Sequence, residues 1–150
     1  MRHRSRALAV LTLGAGAALI SAAPPAPSDV TVTVTGLRSA KGVVRACMTA
    51  DAKRFPRCRG DAESHRRVVP ASGTVHLVFE DVAPGRYAIA LLHDENGNGK
   101  ADRALGMMPT EGFGFSRDAP VRMGPPSFGD AAFELVGEPV AQTIRMRYML

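Results

Sequence analysis

Side chains that carry oxygen atoms recur at alternate positions in one short segment, and that spacing is typical of a loop that binds Ca²⁺. The segment reads HDENGNGKAD at residues 93–102, and from Asp94 it matches the first nine positions of an EF-hand-type calcium loop, D-x-[DN]-x-[DN]-G. The twelfth position is Leu105 instead of the bidentate Glu that completes such a loop, so Glu111 is the candidate for the missing donor. The predicted ligands are Asp94, Asn96, Asn98, the backbone carbonyl of Lys100, Asp102 and Glu111.

The same segment has a second interpretation that needs no metal. Asn-Gly pairs form tight turns at positive φ, and Asp and Asn side chains in such turns accept hydrogen bonds from their own backbone. A calcium site with two certain charges would also be weak, with a dissociation constant of about 10⁻⁴–10⁻³ M. The sequence therefore leaves two alternatives open, a weakly bound Ca²⁺ ion and a loop ordered by its own hydrogen bonds.

Three polar side chains near this loop could also act as an acid–base group. His93, Asp94 and Glu111 would then make the protein a small periplasmic hydrolase. A histidine at a strand end beside an aspartate more often orients a turn, and the sequence contains neither G-x-S-x-G nor H-E-x-x-H. We therefore expect a non-enzymatic binding or structural module, with the hydrolase as the alternative.

Aromatic rings lie among Gly and Pro in two further segments, PTEGFGFS at residues 109–116 and PPSFGDAAF at residues 125–133. Both connections are longer than a hairpin requires, which is common in binding loops. Phe113, Phe115 and Phe128 are the candidates for a binding surface. The alternative is that the rings are tucked beneath the loops as a small satellite core.

The two cysteines, Cys47 and Cys58, lie 11 positions apart. In an exported protein such a pair can form a lasting disulfide, which would close a short loop and contribute roughly 2–3 kcal/mol. Two buried or unpaired thiols are the alternative. A zinc site is disfavoured because no C-x-x-C motif or neighbouring pair of histidines completes a set of four ligands.

The first residues have the layout of a secretory signal peptide. A basic stretch, RHRSR at residues 2–6, precedes an apolar run at residues 7–20 and the small residues SAA at 21–23. The run is shorter than the roughly 20 residues of a membrane-spanning helix, so we expect export to the periplasm or beyond and no transmembrane segment in the mature chain. Cleavage is predicted after Ala22 or Ala23, followed by a Pro-rich linker at residues 24–28 and one domain at residues 29–150.

The charge of the mature chain argues against nucleic acid as a partner. The predicted leader holds three of the 19 basic residues and none of the 14 acidic ones, so the remainder carries about +2 instead of +5. The remaining basic residues are scattered and do not alternate with aromatic rings, as a nucleic-acid footprint requires. A cell-envelope protein or a small ligand is the expected partner.

The elements that must position these groups are predicted to be strands, because apolar residues alternate with period two and no helical stripe occurs after residue 24. The predicted strands cover residues 30–35, 43–49, 74–80, 86–93, 131–136 and 140–148. We expect the first two to form a hairpin and the last two to pair, with a long connection at residues 50–70 that holds a helical turn near residues 61–66. The run at residues 86–93 is apolar on both faces, which indicates a central strand. Six to eight short strands in about 125 residues predict an all-β sandwich of two packed sheets.

Four blocks in order resemble the bacterial exported family known as domain of unknown function 2141. They are FEDVAPGRY at residues 79–87, HDENGNGKAD at 93–102, EGFGFS at 111–116, and PSF at 126–128 with DAAF at 130–133. The resemblance covers residues 29–149 and implies an exported β-sandwich similar in outline to transthyretin-like and Cna-B-like modules. It implies no activity, and the two cysteines are not part of it. The C-terminal Tyr-Arg-Gly-Ser of the transthyretin-like hydroxyisourate hydrolases is absent here.

Overall fold

A computed structural model describes residues 22–105 and 107–150. Within these residues the chain forms ten strands, one short helix and one 3₁₀ turn: β1 Ser28–Thr35, β2 Val43–Thr49, β3 His65–Pro70, β4 Val75–Val82, β5 Gly85–Asp94, β6 Arg103–Ala104, β7 Met108–Pro109, β8 Gly112–Phe115, the 3₁₀ turn Ser116–Asp118, α1 Phe128–Ala131, β9 Phe133–Leu135 and β10 Val140–Arg145. The predicted signal peptide lies outside the described residues except for its last two positions. None of the helices described is long and apolar enough to cross a membrane.

The strands form two main sheets. The smaller has the order β10-β1-β4, with β1 parallel to β10 and antiparallel to β4. The larger has the order β3-β2-β5-β8, all antiparallel, and β9 pairs with the first residues of β5. β6 and β7 form a separate two-residue ladder. The prediction of an all-β sandwich is confirmed.

Alternation with period two places one face of each long strand in a shared core between the sheets. Val32 and Leu77 of the smaller sheet and Ile89 of the larger are each at most 4% exposed. These side chains pack in one cluster with Met48 and Ile144. The side chains that the pattern assigned to the interior therefore do lie there.

The prediction of a central strand at residues 86–93 is also confirmed, because β5 has partners along both edges. Its outer face carries Ala88 and Ala90, which lie under a second, smaller cluster that contains Phe115. Small residues on this face let the loops above approach the sheet closely. Cys47, also on the outer face, forms the predicted disulfide with Cys58, with the two Cα atoms 6.3 Å apart.

Two predicted pairings and one connection are wrong. The strands at 30–35 and 43–49 do not form a hairpin, because β1 and β2 belong to different sheets. β9 and β10 do not pair either; β9 joins β5, and β10 joins β1. The connection at residues 50–70 contains the strand β3, which replaces the end of the predicted helical turn. β3 was missed because two of its three inward positions hold His65 and Arg67 and only the third, Val69, is apolar, so it lacks the apolar alternation of the other strands.

Candidate functional site

The predicted site lies at the end of β5, where the chain leaves the larger sheet and returns to it as β8. Gly42, in the connection before β2, passes against the backbone of this corner, and a Cβ added there would lie 2.0 Å from the carbonyl oxygen of Asp94. Only glycine permits this approach, since its φ is also +67°. The connection between β1 and β2 therefore forms one wall of the site.

Asp94 is fully buried and organises the loop that follows it. Its Oδ2 atom accepts hydrogen bonds from Arg45 Nε at 2.6 Å and from the Gly99 N–H at 2.8 Å, and its Oδ1 atom accepts one from the Asn98 N–H at 3.0 Å. Burial raises the pKa of this carboxyl, but the bond from Arg45 and those from the two backbone N–H groups outweigh it and lower the pKa overall. Asp94 is thus a buried carboxylate whose charge Arg45 balances.

The two asparagines turn the loop back on itself. Asn96 Oδ1 accepts from the Asn98 N–H at 3.0 Å, and Asn98 Oδ1 accepts from the Lys100 N–H at 2.8 Å. Both side-chain amides donate to Asp102 Oδ2, at 2.6 and 2.8 Å. The predicted ligand residues therefore do come together, with hydrogen bonds between them.

Glu111, the candidate for the missing metal donor, lies beside this loop and contacts its backbone. Its side chain is 5% exposed and accepts from the Glu95 N–H at 3.1 Å and the Asp102 N–H at 3.2 Å. Burial and the nearby charges of Asp102 and Asp94 raise the pKa of Glu111. The two hydrogen bonds of this carboxyl therefore link the start of the loop to its end.

These contacts bear on which groups are available to a metal ion. Arg45 already places a positive charge beside Asp94, the first residue of the calcium pattern. Among the described residues, no three Asp, Glu, His or Cys side chains are grouped so that they could hold a metal. The hydrogen bonds match the alternative of a self-ordered loop, and calcium binding stays a prediction.

His93 is fully buried between the sheets, with both ring nitrogens engaged. Nδ1 lies 2.7 Å from the hydroxyl of Tyr148, and Nε2 lies 2.9 Å from the carbonyl oxygen of Lys41. In the described part of the chain, every buried side-chain nitrogen and oxygen has a hydrogen-bond partner. The three groups of the hydrolase alternative, His93, Asp94 and Glu111, are therefore all engaged in contacts that hold the fold.

Sequence reasoning missed the ion pair that borders the site. Arg38 contacts Glu95 at 2.5 Å, lies 4.5 Å from the ring centroid of Tyr148 and donates to the carbonyl oxygen of Thr110 at 2.8 Å. The hydrogen bonds from Arg38 and Ser39 lower the pKa of Glu95 to about 2. Arg38 and Ser39 lie in the connection between β1 and β2, Glu95 lies in the loop after β5, and Tyr148 lies after β10. No local sequence pattern connects positions that are so far apart.

An open cavity of about 440 Å³ lies over this corner. Its walls carry charges of both signs, from Arg38, Lys41, Glu95, Asn96, Asp102, Thr110 and Glu111. Most of these side chains are held by the contacts above. The Lys41 ammonium is exposed, and no acceptor among the described residues bonds it.

The three candidate aromatic residues lie in the smaller cluster on the outer face of the larger sheet. Phe115 is 5% exposed, and its ring centroid lies 5.8 Å from that of Phe55, which in turn lies 6.0 Å from Phe128. Phe113 and Phe128 are half-buried against this cluster. Phe115 therefore matches the alternative of a small satellite core. Of the three candidates, Phe113 and Phe128 offer accessible ring surface.

Comparison with known proteins gives one match. The model of the family DUF2141, described as an uncharacterized protein conserved in bacteria, matches residues 32–143. No curated protein and no solved structure matches the chain. The matched region runs from β1 into β10 and includes the whole of the β5 corner and its loop. The chain therefore belongs to the DUF2141 family.

Proposed function

We propose that the protein is an exported, non-catalytic binding module whose contact site is the cavity at the end of β5. One observation carries this proposal. The polar groups beneath the cavity are used for internal hydrogen bonds, whereas the lysine on its rim has no acceptor among the described residues. A catalytic site needs a titratable group that can reach a substrate. His93 and Asp94 are fully buried, and Glu111, which borders the cavity, is 5% exposed and accepts backbone hydrogen bonds at both carboxyl oxygens.

Export is supported by two independent features of the chain. The leader layout at residues 1–23 is typical of a secretory signal. The Cys47–Cys58 disulfide is a bond that persists mainly in oxidising compartments. Together they favour the periplasm or the cell exterior as the place where the module acts.

The cavity walls hold three carboxylates and two cations, so a polar partner is favoured, and any negative group that it carries would have to lie at Lys41. Glu95 neutralises Arg38, so Lys41 is the cation left to meet an incoming group. The volume of about 440 Å³ is in the range of small-molecule sites, but the walls are polar rather than apolar. We propose an anionic small ligand, or an acidic segment of a cell-envelope protein, as the occupant.

This proposal can be tested with two charge reversals of similar exposed lysines. Lys41→Glu places a negative charge on the cavity rim, whereas Lys53→Glu makes the same change in the loop after β2, outside the cavity walls. Purified wild-type protein and both variants are incubated with an envelope extract of the native bacterium, and retained molecules are identified by mass spectrometry. We expect a molecule that wild type and Lys53→Glu retain and Lys41→Glu loses.

Equal retention by both variants would contradict a contact at Lys41. Retention of nothing by wild type would contradict a binding module of this kind. Turnover of ester or amide substrates that disappears in Glu111→Gln would favour the hydrolase alternative. Melting curves of all variants show whether a loss reflects binding or folding.

A further inference from the structure

We infer that Asn96 is a site of spontaneous deamidation and that Asp94 protects Asn98, two positions away, from the same reaction. The chain contains two asparagines, and each is followed by glycine. Asn-Gly is especially prone to deamidation because glycine has no side chain to hinder the attacking backbone nitrogen. The two sites lie in the same loop, so their surroundings can be compared atom by atom.

The reaction needs only water and a base from the solvent. The backbone nitrogen of Gly97 gives up its proton to the base and bonds to Cγ of Asn96, and the Cγ–Nδ2 bond breaks. Nδ2 takes up a proton and leaves as ammonia, which gives a five-membered succinimide. Water then opens the ring at either carbonyl, so that position 96 becomes aspartate or isoaspartate. The net change is the addition of one water and the loss of one ammonia, with no oxidation or reduction.

The two asparagines match in the features of this reaction that involve their own side chains. The Oδ1 atom of each accepts a hydrogen bond from the N–H two residues later, at 3.0 Å for Asn96 and 2.8 Å for Asn98. The leaving nitrogen of each donates to Asp102 Oδ2. The following glycines have similar φ angles of +71° and +76°. Carbonyl polarisation, the leaving group and the φ of the following glycine are therefore similar at the two sites.

The two sites differ at the backbone nitrogen that attacks the side chain. The Gly99 N–H donates to Asp94 Oδ2 at 2.8 Å, and Asp94 is fully buried and held by Arg45. The Gly97 N–H has no acceptor among the described residues, and the space around Gly97 is open. Removing the proton of Gly99 would break a bond to a carboxylate and place a second negative charge beside it. Since a hydrogen bond to a charged group is worth about a factor of ten or more, Asn96 should react about tenfold faster or more.

Deamidation at this position would change the wall of the cavity. Asn96 Nδ2 now donates to Asp102 at 2.6 Å, and both residues line the cavity. The product replaces that donor with a carboxylate, which repels Asp102 instead of bonding it. The loop would therefore lose one of its closing contacts and gain a negative charge as the protein ages.

The test uses the purified protein as it exists, with its disulfide intact. Samples are held in mildly alkaline buffer, digested at intervals and mapped by mass spectrometry, with fragmentation that distinguishes isoaspartate from aspartate. The same time course in concentrated urea gives the rates of both sites without the fold. We expect similar rates for the two asparagines in urea, and a ratio of about ten or more in favour of Asn96 in buffer.

Similar rates in buffer, a faster Asn98, or no conversion of Asn96 over a period in which both sites convert in urea would each overturn the inference. An Asp94→Ala variant gives a second measurement, because it frees the Gly99 N–H. If this variant is folded, its Asn98 should convert faster than Asn98 of wild type, and an unchanged rate would contradict the protective role of Asp94.

Discussion

The ion pair between one residue and another, Arg38 and Glu95, predicts that the free energy of unfolding depends on pH. The pKa of Glu95 falls from its usual 4.5 to about 2 in the folded protein. A carboxyl with a lowered pKa contributes stability that is complete above pH 4.5 and is lost as the pH falls from there toward 2. Since Arg38 is partly exposed, solvent screening reduces the contribution to about 1 kcal/mol. We expect Glu95→Gln to lower the free energy of unfolding by that amount at neutral pH.

Urea unfolding of wild type and variant across this acid window measures the effect. Their free energies should converge as the pH falls, because wild type loses the interaction that Glu95→Gln already lacks. Glu80→Gln, which removes an exposed glutamate with no ion pair among the described residues, is the matched control. A constant difference between wild type and Glu95→Gln at all pH values would show that the Arg38 pair is not the cause.

Which side chains meet at the site could be predicted only where the spacing is short. Asp94, Asn96, Asn98 and Asp102 are linked by local hydrogen bonds, as the turn alternative required. Arg45 lies 49 positions from Asp94, and Tyr148 lies 55 from His93. Such partners depend on how the strands are arranged, and single-sequence periodicity does not specify that arrangement.

At the level of the loop, the balance between calcium and internal hydrogen bonds can be measured. Arg45 already neutralises Asp94, so millimolar Ca²⁺ is expected to leave the melting temperature of wild type unchanged. Arg45→Met leaves a buried carboxylate without its partner, which costs roughly 3–5 kcal/mol when a buried pair is broken. If that variant folds, Ca²⁺ should recover part of the loss by binding the folded state.

Differential scanning fluorimetry with Ca²⁺, with Mg²⁺ and with chelator distinguishes the outcomes. A clear rise for wild type with Ca²⁺, abolished by Asp94→Ala, would support the calcium interpretation in place of the self-ordered loop. Arg57→Met, which removes an exposed arginine that has no ion pair or side-chain hydrogen bond among the described residues, controls for the loss of a surface charge. Its melting temperature should not respond to Ca²⁺.

The positions of the strands were predictable, but their partners were not. Alternation located β1, β2, β4 and β5 because each buries one or both faces. The same alternation fits an adjacent hairpin or a crossing to the other sheet, so the predicted pairing of β1 with β2 was wrong. β3 lies at a sheet edge and carries polar residues at two of its three inward positions, which removes the pattern that would have revealed it.

The last residues of the chain join the two sheets of the sandwich. β10 lies beside β1 in the smaller sheet, and two residues later Arg147 exchanges two backbone hydrogen bonds with Phe113 of β8 in the larger sheet, at 2.9 and 3.0 Å. Tyr148 then bonds the buried His93. Because this segment closes one side of the core, its removal should weaken both sheets and the candidate site together.

Deletion of residues 147–150 is therefore expected to lower the free energy of unfolding by about 2–4 kcal/mol, since it removes two backbone hydrogen bonds and leaves His93 without its hydroxyl partner. Tyr148→Phe, which removes only that hydroxyl, should lose about 1–2 kcal/mol. Deletion of residues 149–150 is the matched control, because it keeps Arg147 and Tyr148 and removes only the Leu150 carbonyl that accepts from Arg38, and it should cost less than the longer deletion. Urea unfolding followed by circular dichroism gives all three values. Equal losses for the two deletions would mean that the bridge to β8 does not stabilise the sandwich, and the corner at the end of β5 would then have to be held by the Arg38 and Asp94 contacts alone.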